Sequence, residues 1–235
     1  MRQFVIGDVH GCKVSLVALL KKIDLQIDDE LYFLGDYIDR GPDSKGVFDT
    51  IFSLREAGHK VVCLLGNHEA MMLGALSGNK EDEYDWKKHG GKQTLQSFGI
   101  WEFYDLPRAY PDFMKEMPLV VEVGDYILVH GGLNFNQKDP IKPTQQMIWI
   151  RDWYAKINYE WLGNRVILHG HTPQTVEETK NQLINLERDR LLNLDCGCVF
   201  NKSLYNSLVC FELKSKQLYV QKNIEMRVEE FPPFS

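Results

Sequence analysis

Gly35-Asp36-Tyr37-Ile38-Asp39-Arg40-Gly41 follows directly on the apolar run Leu31-Tyr32-Phe33-Leu34. The run has the length and composition of a buried strand. Two acids, an arginine and two glycines then stand where that strand should end. An aspartate at the end of a buried strand is costly unless its charge is compensated. Arg40 can compensate one aspartate but not obviously both. Taken alone, the heptapeptide reads either as a capped turn with an Asp–Arg pair or as a metal and phosphate site. The rest of the chain decides between them.

The same grammar recurs on either side. Phe4-Val5-Ile6 runs into Gly7-Asp8-Val9-His10-Gly11, and Lys60-Val61-Val62-Cys63-Leu64-Leu65 runs into Gly66-Asn67-His68-Glu69. Between them, Val14–Ile23 and Ser44–Ala57 carry apolar residues at helical spacing, and Gly58 follows as a C-terminal stop. Gly7, Gly35 and Gly66 are thus roughly 30 residues apart, the length of a strand–helix–strand unit. Right-handed crossovers place the C-terminal ends of parallel strands on one edge, where open α/β sheets bind ligands. Asp8, His10, Asp36, Asp39, Arg40, Asn67 and His68 are therefore expected to converge.

The chain has 235 residues and a formal net charge of −6, so a general nucleic-acid or membrane-surface binder is disfavoured. The start, Met1-Arg2-Gln3-Phe4-Val5-Ile6, goes straight into a strand-like run without a signal-peptide pattern. No apolar stretch reaches the length of a membrane span. Five cysteines at irregular spacing point to a reducing, cytoplasmic setting. Cys196-Gly197-Cys198 is expected to pack rather than to bind metal.

Further along, Met71–Phe98 reads as mostly helical, broken at Gly90-Gly91, with Trp86, Leu95 and Phe98 as core and His89 as structural. Residues Leu106–Met117 suggest another short helix. Pro118–Val123 and Tyr126–Val129 form an expected hairpin ending in His130-Gly131-Gly132, and Arg165–Leu168 ends in His169-Gly170-His171-Thr172-Pro173. Trp149-Ile150-Arg151-Asp152-Trp153 sets an arginine among aromatic residues, either as a surface ion pair with Asp152 or as a ligand-binding group. From Thr175 to Gln221 four runs (Leu183–Leu186, Leu191–Leu194, Leu208–Phe211 and Leu218–Gln221) suggest a second, largely antiparallel sheet. No linker divides the chain, so one domain over 1–235 is expected, with 222–235 as a loose tail.

Asp8, His10, Asp36, Asn67, His130 and His171 collect carboxylate oxygens, imidazoles and an amide oxygen. This set suits Mn, Fe or Zn better than Ca. Six ligands exceed one tetrahedral zinc and fit two metals if Asp36 bridges them. Two metals about 3.5–4 Å apart lower the pKa of a bound water and clamp an in-line displacement.

With these motifs assembled, the chain resembles the calcineurin-like metallophosphoesterases. Within them it looks similar to the serine/threonine phosphoprotein phosphatase family, especially its bacterial and phage members. Asn193-Leu194-Asp195-Cys196-Gly197 looks like that group's late strand motif. The resemblance implies an α/β fold of two mixed β-sheets packed as a sandwich and flanked by helices. It implies Asp8, His10 and Asp36 on one metal, and Asp36, Asn67, His130 and His171 on the other. It implies His68 as general acid oriented by Asp39, with Arg40 and Arg151 on the phosphoryl oxygens. The implied activity is hydrolysis of phosphoserine or phosphothreonine, with phosphotyrosine as an extension, by a metal-bound hydroxide. The expected cofactors are two divalent ions, Mn²⁺ first, with Fe or Zn as alternatives. The expected partner is a phosphorylated protein or peptide; no regulatory subunit, nucleic acid or membrane is assumed.

Two other readings stay open. A symmetrical diadenosine tetraphosphate hydrolase would carry nearly the same motifs. A non-catalytic scaffold of the same fold is disfavoured because His68 and every ligand are present. A cysteine-based tyrosine phosphatase is excluded, since no cysteine is followed by arginine six positions later. By position, His171 on the turn beyond the strand is expected on metal, and His169 in packing or in a hydrogen bond to a ligand.

Overall fold

The computed structural model describes residues 1–200 and 204–225. The chain starts with β1 (Gln3–Ile6), α1 (Lys13–Lys22), β2 (Glu30–Phe33), α2 (Ser44–Glu56) and β3 (Lys60–Cys63). A helical stretch follows: α3 (Asn67–Leu76), α4 (Lys80–Trp86), α5 (Lys92–Phe98) and α6 (Ala109–Lys115). Then come β4 (Val120–Val123), β5 (Tyr126–Val129), α7 (Tyr159–Leu162) and β6 (Val166–His169). The chain continues through α8 (Val176–Ile184), α9 (Leu186–Asp189), β7 (Leu191–Asn193), β8 (Ser207–Glu212) and β9 (Leu218–Lys222).

These strands form two mixed sheets, ordered β3-β2-β1-β8-β9 and β4-β5-β6-β7. In the first sheet β1, β2 and β3 are parallel, while β8 runs antiparallel to β1 and β9 to β8. In the second, the β4–β5 hairpin is antiparallel, and β6 and β7 continue parallel to β5. Strand alternation sorts the side chains. Val5, Tyr32, Val209 and Phe211 of the first sheet pack with Leu128, Leu168 and Leu192 of the second. Their neighbours Phe4, Ile6, Leu31, Phe33 and Cys210 point the other way, onto Leu16, Leu19, Val47 and Phe48 of α1 and α2. Being covered on both faces explains why these strands read as unbroken apolar runs.

Two expectations for the C-terminal third are corrected. Leu183–Leu186 is not a strand. It spans the end of α8 and the start of α9. Thr175 caps α8, accepting from Glu178 N at 3.1 Å while Glu178 Oε2 takes Thr175 N at 2.7 Å, a reciprocal start signal that outweighs a short apolar run. Nor do the late strands make a separate antiparallel sheet. β7 joins the second sheet in parallel, and β8 and β9 return to the first. Elsewhere the helical stretch breaks as expected at Gly90, with φ 120°. All five cysteines are free and buried. Of the expected tail, Lys222 belongs to β9, and Glu225 accepts from Ser15 N at 2.8 Å. Residues 226–235 lie outside the described residues. No helix among the described residues is long and apolar enough to cross a membrane.

Candidate dimetal site

Each parallel strand of both sheets delivers its motif just past its C-terminal end, and the motifs meet. Gly35 shows how closely. It lies at φ 116°, and a Cβ there would stand 2.8 Å from Gly66 Cα and 2.8 Å from His130 Nδ1. Only glycine lets the ends of β2, β3 and β5 come this near. Glu69 ties two of these ends together. Its carboxylate accepts from the backbone N–H of Asp36 (2.9 Å), Tyr37 (2.8 Å), Ile38 (3.2 Å) and Gly66 (3.2 Å). The backbone is forced into the left-handed region at His10, Asp36, Asp39, Arg40 and His171. Non-glycine residues there cost about 1–3 kcal/mol each and persist where their surroundings dictate them, as at binding and catalytic sites.

Asp36 sits in the middle. Its Oδ2 is 3.5 Å from His10 Nε2 and its Oδ1 is 3.3 Å from His130 Nε2. His10 Nδ1 donates to the Ile38 carbonyl at 2.9 Å, and His130 Nδ1 donates to the Leu34 carbonyl at 3.0 Å. Both Nε2 atoms therefore carry lone pairs toward Asp36. Asn67 Oδ1 is 3.0 Å from His130 Nε2 and 2.8 Å from His171 Nδ1. Asp8 accepts from His171 N through Oδ2 at 3.1 Å, while its buried Oδ1 has no partner. Two groups of three stand out, His10 with Asp36 and His68, and Asp36 with His130 and His171, with donor atoms within 4.8 Å of one another in each.

These residues fit divalent cations. Acceptor oxygens and imidazole lone pairs crowd around Asp36, and Asp8 adds a buried carboxylate oxygen without a partner; a cation would satisfy both. Protonation of the imidazoles is disfavoured as the alternative. Burial holds His130 and His171 down to about 3, and holds His10 well below the usual imidazole range. Burial, then the nearby charges of Asp195 and Asp36, push Asp8 upward. A bound cation would reverse that shift.

His68 lies as close to His10 and Asp36 as a ligand would, but its Nδ1 is engaged elsewhere, donating to Asp39 Oδ2 at 2.7 Å. Asp39 is fully buried and accepts from Thr94 Oγ1 at 2.6 Å and from Trp86 Nε1 at 3.0 Å. Indole N–H can only donate. Asp39 is thus a fixed acceptor that puts the His68 proton on Nδ1 and leaves Nε2 facing the site. Burial lowers the His68 imidazole to about 4. Arg40 donates to His10 Nε2 at 2.8 Å and stands 5.9 Å from the Phe200 ring centre. Arg151 is exposed and reaches Thr172 Oγ1 at 3.1 Å, beside His171; it forms no ion pair with Asp152. His169 is buried away from the cluster, held by Tyr154. His89 is exposed and bonds Asp85 O.

Sequence reasoning missed the supporting set. Glu69 was visible only as the end of a motif, Trp86 only as core, and Thr94 not at all. A tryptophan four residues before a helix-breaking glycine pair carries no sign of its polar edge. Asp195 was legible as a motif member. It is buried, accepts from Gly197 N at 2.9 Å, and burial pushes it up to about 7.

The calcineurin-like phosphoesterase family model matches residues 1–209. The chain belongs to that family. Its relatives include an asymmetrical bis(5'-nucleosyl)-tetraphosphatase from Anoxybacillus flavithermus, 27% identical over 98% of both chains. A symmetrical bis(5'-nucleosyl)-tetraphosphatase from Vibrio cholerae is 30% identical over 57% of this chain, which spans 45% of that relative's length. Among solved structures, a putative diadenosine tetraphosphatase aligns with TM-score 0.69 at 16% identity, covering 94% of this chain and 93% of that one. A Saccharomyces cerevisiae serine/threonine phosphatase aligns with TM-score 0.64 at 14% identity, covering 97% and 82%. These two likenesses bear on the fold. The chain carries the sandwich of two mixed sheets that its family resemblance implied, and it has His/Asp groups that could hold metal.

Proposed function

We propose that this chain is a dimetal phosphohydrolase whose main substrates are phosphomonoesters of serine and threonine in proteins or peptides. The observation that carries this reading is His68 hydrogen-bonded to a buried Asp39 beside the acceptor cluster. An alkoxide leaving from phosphoserine needs a proton, whereas a nucleotide leaving from a polyphosphate chain needs one far less. A dyad built this firmly suits the poorer leaving group.

Asp8, His10 and Asp36 would hold one ion, and Asp36, Asn67, His130 and His171 the other. When bound, such ions supply Lewis-acid stabilisation of the phosphoryl charge and lower the pKa of a water. The chain's own residues do the rest. Arg40 leaves His10 to bind phosphoryl oxygens, and Arg151 offers a second guanidinium from the His171 side; planar forks match such oxygens. A bound phosphoryl dianion raises the affinity of His68 Nε2 for a proton, and Asp39 stabilises the resulting imidazolium. Nε2 then gives that proton to the departing oxygen. Mn²⁺ is the proposed ion, from the mixed oxygen and nitrogen donors.

A second reading is hydrolysis of bis(5'-nucleosyl) tetraphosphates, favoured by the activities for which the Anoxybacillus and Vibrio relatives are named. Parallel rates on a phosphoserine peptide and on diadenosine tetraphosphate decide. We expect the peptide to have the higher kcat/KM. A value at least about a hundredfold higher for the dinucleotide, about 2.7 kcal/mol in transition-state terms, would replace the first reading with the second. Undiminished turnover after complete metal removal, verified by elemental analysis, would sink both.

A further inference from the structure

The segment from Gln145 to Lys156 lies across the ends of β5 and β6 and is fastened there by a ladder of contacts. Met147 O accepts from Gly131 N at 2.7 Å and from Gly132 N at 3.1 Å. Trp153 Nε1 donates to Gly131 O at 3.0 Å. Tyr154 Oη is 2.7 Å from His169 Nε2, and His169 Nδ1 is 2.9 Å from Gly170 O. A carbonyl only accepts, so His169 carries its hydrogen on Nδ1 and takes the tyrosine hydroxyl's hydrogen on Nε2. The Trp153, Tyr154 and His169 rings pack edge to face, with centres 4.9–5.4 Å apart.

Arg151 lies within this fastened stretch, between the anchors at Met147 and Trp153. Asp152, between Arg151 and Trp153, is held at φ 55°. The chain therefore reverses sharply at that residue, with Trp153 and Tyr154 anchored on one side and Arg151 left on the other. Arg151 Nη1 reaches Thr172 Oγ1 at 3.1 Å and His171 O at 3.4 Å, next to the acceptor cluster. The guanidinium is exposed, so its own packing does not fix it.

We infer that Tyr154 and His169 form a positioning pair that sets Arg151 for substrate binding, rather than a structural contact or part of the metal site. The inference rests on the proposed role of Arg151 in binding the phosphoryl group. It assigns a task to His169, whose imidazole sits two residues from His171 yet faces the tyrosine.

The test uses the full-length metal-loaded protein and a phosphoserine peptide. Tyr154→Phe keeps the ring and removes one hydrogen bond. It should raise KM about fivefold, the equivalent of that single bond, with kcat and metal content as in the parent. His169→Gln, which keeps an acceptor, should raise KM less than His169→Leu. In an Arg151→Ala background, Tyr154→Phe should change KM no further. An unchanged KM for Tyr154→Phe, or full additivity with Arg151→Ala, would overturn the positioning role. Loss of metal from His169→Leu would make His169 a ligand instead and overturn it as well. If Arg151→Ala itself leaves KM unmoved, the substrate-binding role of Arg151 fails, and with it the basis of the inference.

Discussion

His68 is controlled by atoms it does not touch. Asp39 takes hydrogens from Trp86 and Thr94 as well as from His68, so three side chains on different elements set one imidazole. Replacing His68 by Asn should lower kcat on a phosphoserine peptide by about 10²–10⁴-fold while metal stays bound. The loss should shrink toward nothing with p-nitrophenyl phosphate, whose leaving group needs no proton. Equal losses on both substrates, measured side by side, would remove His68 from the acid role. Trp86→Phe is a subtler probe, because it keeps most of the ring and deletes only the donor to Asp39. Its expected cost is about 1–3 kcal/mol of stability, read from urea midpoints, for a buried carboxylate short of one partner. Asp36→Asn should be the worst of the ligand substitutions, since the oxygens of Asp36 face His10 on one side and His130 on the other. Elemental analysis should find metal lost from both groups; a variant that keeps its full complement and near-normal turnover contradicts the central placement.

At the scale of elements, the turn after β2 and the break between α4 and α5 depend on each other. Gly90 sits at φ 120°, where a Cβ would stand 2.5 Å from Arg40 N and 2.9 Å from Asp39 Cβ. Gly90→Ala should therefore push on the turn carrying Asp39 and Arg40, raising KM and costing about 1–3 kcal/mol for the backbone alone. Gly78→Ala is the control. Gly78 also has positive φ, 91°, but a Cβ there meets nothing within 4 Å, so stability should fall while KM holds. Equal KM values for the two variants would show that the helical break does not reach the site. How much of this could be read in advance follows from what is local. A strand that ends in Gly-Asp-x-His or Gly-Asn-His carries its own marker, so the strand-end motifs of both sheets were legible. The Leu183–Leu186 run misled because a four-residue stretch with three apolar side chains suits strand or helix equally, and the deciding signal lay upstream in Thr175 and Glu178. Partners distant in sequence, such as Thr94 for Asp39 or Tyr154 for His169, leave no local mark.

Across the whole molecule, buried titratable groups bound the range of pH in which the fold is stable. Burial pushes the Cys63 thiol up to about 12 and raises Cys210 further. A free thiol in the unfolded chain titrates near about 8.5. Between those values the folded state keeps protons that the unfolded chain has lost, so stability is full below about pH 8.5 and falls as pH rises toward 12. Urea midpoints of the reduced protein should decline over that interval, and less steeply in Cys63→Ala. A flat profile from pH 8 to 11 would refute this. On the acid side, burial would raise Asp29, but its bonds from Arg2 and Gln26 outweigh that and lower it. Its contribution is present above the unfolded value near about 3.9 and is lost as pH falls through the folded one. The return of β8 to β1 has a consequence of another kind, for a chain being made on the ribosome. β1 emerges well before its antiparallel partner, Ser207–Glu212, which follows only after the second sheet has been synthesised. Until then β1 has one side unpaired, an apolar edge open to any other nascent strand. A message cut short before the codon for Ser207 would yield a chain with every proposed ligand in place and a sheet that cannot close, and its fate would be the aggregate rather than the inactive enzyme.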